Sequence, residues 1–326
     1  MLADKKSLPS DRSLKKFFRA FELSTEYRER KYFGKSLFHK PSQLILGFIE
    51  YQFLSYYFAR VPGWRLFLRR LYSKDRIAPN YVVIGPMKNG SSDLVTHLQM
   101  HPNVMHPLAK EIASRNVEQV KLHYPTIKEK QRLEEQSQHP VRCGYLKPEL
   151  NNMGLMDHLY ELNPQSKIII TLRDPVSRAY THWKWEVFLG GEFLRSDPHF
   201  ETFEQYAERA LDLFPSLPMK TACGFPPLQT GIYYQAVEKW INRFGRENVL
   251  ILDSAEYFLN RQPTLERVQE FLELPIVDIP EYGDKANENP IKLPPANQKT
   301  KSMLAEFYKP YNQKLFDLLG QEFDWQ

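Results

Sequence analysis

The sequence predicts an α/β fold of three layers, a central parallel sheet flanked by helices, with a helical appendage at the N-terminus. Three observations carry this reading. Short apolar runs at residues 81–84, 142–146, 167–172 and 249–252 alternate with longer stretches of helical periodicity, the pattern of a parallel sheet covered on both faces. The run at 167–172, Lys-Ile-Ile-Ile-Thr-Leu, is apolar almost throughout, as suits a strand buried on both sides. Polar, cationic turns follow two of these runs, and open α/β sheets hold ligands at the carboxyl ends of their strands.

The appendage spans residues 1–76 and the main domain residues 77–326. Apolar and aromatic spacing predicts helices over 14–32, 42–59 and 64–72, the last after Pro62-Gly63. Residues 1–80 hold 17 Lys/Arg against 7 Asp/Glu, so the net charge of +5 originates in this quarter and the remainder is slightly acidic. Such an extension suits a solvated face or peripheral membrane contact through residues 1–75. It does not by itself mark a nucleic-acid binder, and no nucleic-acid partner is expected. The most apolar stretch, 42–59, is interrupted by Gln43, Glu50 and Gln52, too polar for a membrane span. The first nineteen residues lack the apolar core of a secretory signal. Cys143 and Cys223 are too few for a disulfide framework or a structural zinc site, and a cytoplasmic location is expected.

In the main domain, β-branched and aromatic residues at 81–84 form a strand that stops at Gly85-Pro86. Asn89-Gly90 permits a sharp turn at positive φ, and Ser91, Ser92 and Asp93 suit a helix start. A helix over 92–100 ends at His101-Pro102. Residues 104–116 read as irregular, 118–138 as a polar helical stretch and 142–146 as a strand running into Lys147-Pro148-Glu149. A helix over 153–161 closes at Asn163-Pro164. The strand at 167–172 ends on Arg173-Asp174-Pro175, with Pro175 opening a helix that runs to residue 188. A loop at 190–198, a helix over 203–213 and a proline-rich segment at 215–227 follow. Then come an amphipathic helix over 233–244, the strand at 249–252 with Asp253 at its end, and a helix over 264–272. A polar loop at 278–298 leads to the last helix, 299–319.

Two strand ends carry anion-binding chemistry. A helix starting at Ser91-Ser92 aims backbone N–H groups and its positive dipole end out of the turn. With Lys88, Asn89, Gly90 and Asp93 it makes a loop suited to a phosphate-like anion. It is not a Walker A loop, which needs Gly-Lys-Ser/Thr in succession. Arg173 can fork onto a second phosphate, and Thr181, two helical turns on, can face the same side. Plainer alternatives are an exposed lysine at a strand–helix junction and a structural Arg173–Asp174 pair. Glu111, at the mouth of the sheet, can act as a general base, with His101, His106 and His182 as alternatives. No His, Cys or carboxylate spacing matches a metal site, and no metal is expected. Trp183, Trp185 and Phe225 can line an acceptor site or pack the core.

Together these segments resemble the sulfotransferases, which use 3′-phosphoadenosine 5′-phosphosulfate (PAPS) as sulfuryl donor. The likeness rests on Lys88-x-Gly90-Ser91-Ser92, then His101-Pro102, then Arg173-Asp174-Pro175-x-x-Arg178-Ala179-Tyr180-Thr181. It extends to Gly231-Ile232-Tyr233 with Trp240, to Leu252-Asp253 and to Phe323-Asp324-Trp325, and covers residues 78–326. These features look most like the carbohydrate branch, including heparan sulfate enzymes and bacterial relatives. The resemblance implies a P-loop NTPase-like sulfotransferase fold and sulfuryl transfer from PAPS to a hydroxyl or amine of a saccharide-containing acceptor, without a metal. It implies that Lys88, Asn89, Gly90, Ser91, Ser92 and Asp93 hold the 5′-phosphosulfate, and Arg173 and Thr181 the 3′-phosphate. Glu111 would be the base and Lys147 would lie near the transferred group. Lys292 is a weak stand-in for a late Lys-Gly-Arg donor loop. Glu111 is followed by Ile-Ala-Ser where relatives carry aromatics, and Lys147 by Pro-Glu-Leu-Asn. Sulfation of a small natural product or lipid is the next reading, ahead of a nucleotide kinase or a non-catalytic membrane or polyanion binder. A Golgi lumen replaces the cytoplasm, or a membrane surface facing it, if the chain is eukaryotic and anchored by residues 42–59.

Overall fold

The computed structural model describes residues 61–71, 74–109, 111–112, 117–188, 202–216, 226–280 and 293–325. The helices predicted at 14–32 and 42–59 and the loop at 190–198 lie outside these residues, as does most of 215–227. Five parallel strands form one sheet: β1 (Tyr81–Ile84), β2 (Val104–Met105), β3 (Arg142–Lys147), β4 (Lys167–Leu172) and β5 (Val249–Asp253), in the order β2-β3-β1-β4-β5.

Alternate side chains of the strands enter two different cores. Val82, Ile84, Ile168 and Ile170 face one side, while Tyr81, Val83 and Ile169 face the other. On the first side pack α5 (Met153–Leu162), α8 (Tyr234–Phe244) and the end of α11 (Gln298–Leu319); on the second pack α2 (Ser91–Leu98) and α10 (Arg261–Phe271). This burial on both faces explains the apolar strands, each large side chain contributing about 1.5–3 kcal/mol. A third core joins α6 (Pro175–Phe188), α7 (Phe203–Leu213) and the start of α11. Beyond these, α1 covers Gly63–Arg70, α3 Val117–Lys121, α4 Ile127–Ser137 and α9 Ser254–Leu259.

Three predicted elements are corrected. Residues 104–116 are not wholly irregular, because Val104 and Met105 form the edge strand β2 against Arg142 and Cys143. The helical stretch predicted over 118–138 is divided into two helices, α3 and α4. Pro125 intervenes, and Thr126 starts α4 with a reciprocal capping box to Glu129. Ahead of α10 lies the short helix α9, started by the Asp253 carboxylate accepting from Glu256 N at 3.2 Å. Among the described residues no helix is long and apolar enough to cross a membrane.

Candidate active site

Where β1 ends, the chain turns through Pro86-Met87-Lys88-Asn89-Gly90 into α2. Lys88 (φ 72°) and Gly90 (φ 82°) are both left-handed. Glycine takes this conformation freely, whereas for Lys88 it costs roughly 1–2 kcal/mol and must be held by neighbours. Asn89 supplies that hold. It is 1% exposed, and its Nδ2 donates to Thr171 O (2.5 Å) and Thr171 Oγ1 (2.6 Å) on β4. Its Oδ1 accepts from Ser91 N at 3.3 Å. The Ser254 hydroxyl proton is shared between Leu172 O (2.6 Å) and Asn89 O. The Asn89 amide passes over Gly85, where a Cβ would stand 1.8 Å from Nδ2. The Lys88 ammonium lies 3.7 Å from the centre of the Trp185 ring, a cation–π contact.

Arg173 follows β4 directly. Its Nη1 donates to Lys88 O at 3.3 Å, so the two cationic strand ends meet. The other guanidinium N–H groups have no acceptor among the described residues. Burial lowers its pKa from the ordinary arginine value, with Asp174 acting in the opposite sense. The Asp174 carboxylate accepts from Val176 N (3.3 Å) and Ser177 N (2.8 Å) at the start of α6. Tyr233 OH donates to Arg173 O at 2.9 Å. Thr181, whose hydroxyl donates to Ser177 O at 2.9 Å, stands one turn before Trp185 on the same side of α6, the side that meets Lys88.

Asp93 lies in the first turn of α2, but its carboxylate faces inward and the residue is 2% exposed. It accepts from Tyr257 OH at 2.8 Å and pairs with His97 Nδ1 at 3.2 Å. Burial pushes the Asp93 carboxyl up, but hydrogen bonds from His97 and Tyr257 outweigh it and leave the group below its ordinary value. The same hydrogen bond raises His97 against its own burial.

Glu111 makes a single parallel bridge to Leu146, so it extends the β2 edge beside the end of β3. Its carboxylate is half-buried and has no hydrogen bond or ion pair among the described residues. Lys147 Nζ donates to Ile112 O and pairs with Glu149 Oε1, both at 3.1 Å. Glu111 and Lys147 thus stand on adjoining strand ends, next to the β1 turn. Of the alternative bases, His106 is exposed, and buried His101 is bonded through Nε2 to Pro275 O at 2.9 Å. His182 is wholly buried, its Nε2 3.1 Å from Glu186 Oε1. Burial lowers its pKa although Glu186 opposes this. Trp183 belongs to the third core. Lys292 and Phe225 lie outside the described residues. Sequence reasoning missed the Asn89–Thr171 and Ser254 contacts, the Asp93–His97–Tyr257 cluster and the Trp185 seat of Lys88. The short Asn-Gly and Asp-Ser cues were visible, but their partners are 82 to 165 residues away.

The sulfotransferase domain model matches residues 78–304. The chain is 24% identical over 325 aligned positions to the membrane-associated sulfotransferase kil1 of Dictyostelium discoideum, with 76% of this chain and 66% of that protein covered. It is 26% identical over 196 positions to mouse carbohydrate sulfotransferase 15, covering 52% of this chain and 33% of that one. The chain therefore spans a third to two thirds of these two relatives. Human heparan sulfate glucosamine 3-O-sulfotransferase 5 is 23% identical, with 78% and 76% covered. Among solved structures, the sulfotransferase of Alicyclobacillus acidocaldarius shares the fold, with a TM-score of 0.53 at 21% identity over 75% of this chain and 97% of that one. With a parallel sheet of this order and a family match over more than half of its length, the chain belongs to the sulfotransferase family.

Proposed function

We propose that the protein transfers a sulfuryl group from PAPS to a hydroxyl of a carbohydrate-type acceptor. The observation that supports this most is the meeting of Lys88 and Arg173 at neighbouring strand ends, with guanidinium donors left over. PAPS is anionic at two places, its 5′-phosphosulfate and its 3′-phosphate, and supplies the activated sulfuryl group when bound. Lys88, Gly90, Ser91 and Ser92 hold the first, Arg173 and Thr181 the second. Asn89 and Asp93 act from inside, fixing the turn and the first turn of α2.

Transfer is an in-line displacement: an acceptor O–S bond forms while the S–O bond to the 5′-phosphate breaks. Glu111 takes the acceptor proton. Lys147 holds the Glu111 segment through Ile112 O. The Lys88 ammonium and the α2 N-terminus offset charge growing on the leaving phosphate, an electrostatic contribution of the kind that dominates such reactions. Peripheral membrane association through residues 1–75 belongs to this reading, supported by the basic charge there.

Titration calorimetry with 3′-phosphoadenosine 5′-phosphate (PAP), alongside radiolabelled-sulfate transfer, tests this. Wild-type protein should bind PAP. Lys88→Ala should lower turnover about 10²–10³-fold, and Arg173→Ala should weaken PAP binding about 10–100-fold. Glu111→Gln should leave PAP binding intact and remove turnover. Absence of PAP binding by the wild-type chain defeats the proposal.

A further inference from the structure

We infer that the acceptor is a neutral saccharide held across two adjoining cavities beside the β1 turn, an inference that rests on the sulfotransferase reading above. The first cavity, of about 490 Å³, opens between the loop after β1, the loop after β3 and residues 226–230. It includes Pro86, two residues before Lys88, and Pro148, directly after Lys147. It therefore borders the part of the site where Glu111 and Lys147 stand.

The walls are held in place before any ligand arrives. Leu150 N donates to Gly85 O at 3.2 Å, joining two of the loops. Thr230 Oγ1 donates to Pro226 O at 2.5 Å, and buried Arg178 donates to Pro227 O. The second cavity, of about 420 Å³, shares Asn151 and Gln229 with the first, and Asn151 Nδ2 donates to Gln229 O at 3.5 Å. Each volume falls in the range of about 300–1,000 Å³ usual for small-ligand sites, so the pair suits a chain of more than one sugar.

Charge decides the class of sugar. Among the described lining residues the first cavity carries one charged group, Glu149, and the second one, Lys239. Glu149 is already paired with Lys147 and accepts from Asn152 Nδ2 at 2.5 Å. A sulfated or uronate-rich chain is held by clustered arginines and lysines. Among the described lining residues there is no such cluster: Glu149 is neutralised by Lys147, and Lys239 is the single charged residue of the second cavity. The cavities offer instead the carboxamides of Asn151 and Gln229, which both donate and accept, as sugar hydroxyls do. The rings of Tyr234 and Tyr311 in the second cavity give apolar faces with polar tips.

A neutral saccharide can arrive as a free oligosaccharide or as a glycolipid headgroup. Sulfate transfer by the full-length chain should therefore be measured with PAPS against three acceptors. These are a neutral oligosaccharide, the same sugar on lipid in zwitterionic vesicles, and heparan sulfate. PAP binding is measured in parallel. One of the two neutral arms, whichever source applies, should exceed heparan sulfate at least about tenfold in kcat/KM. Raising salt from about 50 to 300 mM should move the neutral acceptor's KM less than about twofold, since screening acts on charged partners. Gln229→Ala and Tyr311→Ala should each raise that KM several-fold with kcat and PAP affinity unchanged. A preference for heparan sulfate with steep salt dependence overturns the inference. So does PAP binding with no labelling of either neutral acceptor, or an unchanged KM in both variants. Failure of PAP to bind overturns instead the sulfotransferase reading beneath it.

Discussion

Asp93 and His97, buried at the foot of the anion turn, titrate in opposite senses. His97 is raised from 6.5 by its hydrogen bond to Asp93, so the stability it contributes is complete below about pH 6.5 and is lost as pH rises through the raised value. Asp93 is lowered from 3.8 in spite of its burial, by bonds from His97 and Tyr257. Its contribution is therefore present above that value and lost as pH falls through the lowered one. Both act together only between about pH 4 and 6.5. Tyr257 is pushed upward by burial and by the Asp93 charge, so it stays protonated across this window. Arg261 Nε lies 3.9 Å from Asp93 Oδ2. His97→Gln should cost about 1–3 kcal/mol at pH 6. It should also flatten the decline in unfolding free energy between pH 6.5 and 9. Urea midpoints across that range measure this; parallel pH profiles for the two proteins would rule the pair out as the source of the slope. Lys88 and Arg173 were legible at this scale because each follows a strand within one local motif. The inward turn of Asp93 was not, because its partner Tyr257 lies 164 residues along the chain.

Among the helices, α6 has the most divided duties. Thr181 and Trp185 share the side toward Lys88, while Arg178, His182 and Glu186 run inward at four-residue intervals, each no more than 1% exposed. Arg178 Nη1 lies 3.5 Å from His182 Nδ1, and its Nη2 donates to Pro227 O, beside the wall of the first cavity. Removing one member of a buried charged network costs about 3–5 kcal/mol, because the others lose compensation. Arg178→Met should therefore lower stability by about that amount. The change should raise the acceptor KM through a looser 226–230 wall and alter PAP affinity less, since the Arg178 guanidinium meets Pro227 O and His182 and not the side of α6 toward Lys88. Equal losses in acceptor KM and PAP affinity would show that α6 does not separate these duties. The strands with apolar runs bounded by turn residues, β1, β3, β4 and β5, were legible in the sequence, as were α6 and α8. The two-residue β2 was not, because its pairing is supplied by Arg142 and Cys143 across the sheet. Nor was the break between α3 and α4, since polar helix periodicity runs on through the Tyr124-Pro125 junction.

Across the whole molecule, the last residues of the chain return to the carboxyl end of the edge strand β5. Trp325 Nε1 donates to Asp253 Oδ1 at 3.0 Å. Its ring packs against Tyr233, Phe316 and Phe323 with centroid separations of 5.8, 5.5 and 5.0 Å. Asp253 in turn starts α9, whose Ser254 steadies Asn89, and Tyr233 donates to Arg173 O. One tail thus reaches both strand ends that bear cations without standing beside either. Removing residues 321–326 opens the Tyr233 ring and leaves Asp253 without its indole donor. Loss of an aromatic contact and a hydrogen bond to a carboxylate amounts to about 2–4 kcal/mol. In a chain of this size that corresponds to a fall in Tm of roughly 3–6 °C. PAP affinity should fall several-fold even though no deleted residue is assigned to the donor. Trp325→Phe keeps the packing and gives up only the bond to Asp253, so it should retain most of the Tm and lose about 1 kcal/mol. Thermal unfolding with and without PAP separates the two variants. A truncated chain with wild-type Tm and wild-type PAP affinity would show that the tail rests on the sheet without supporting the site.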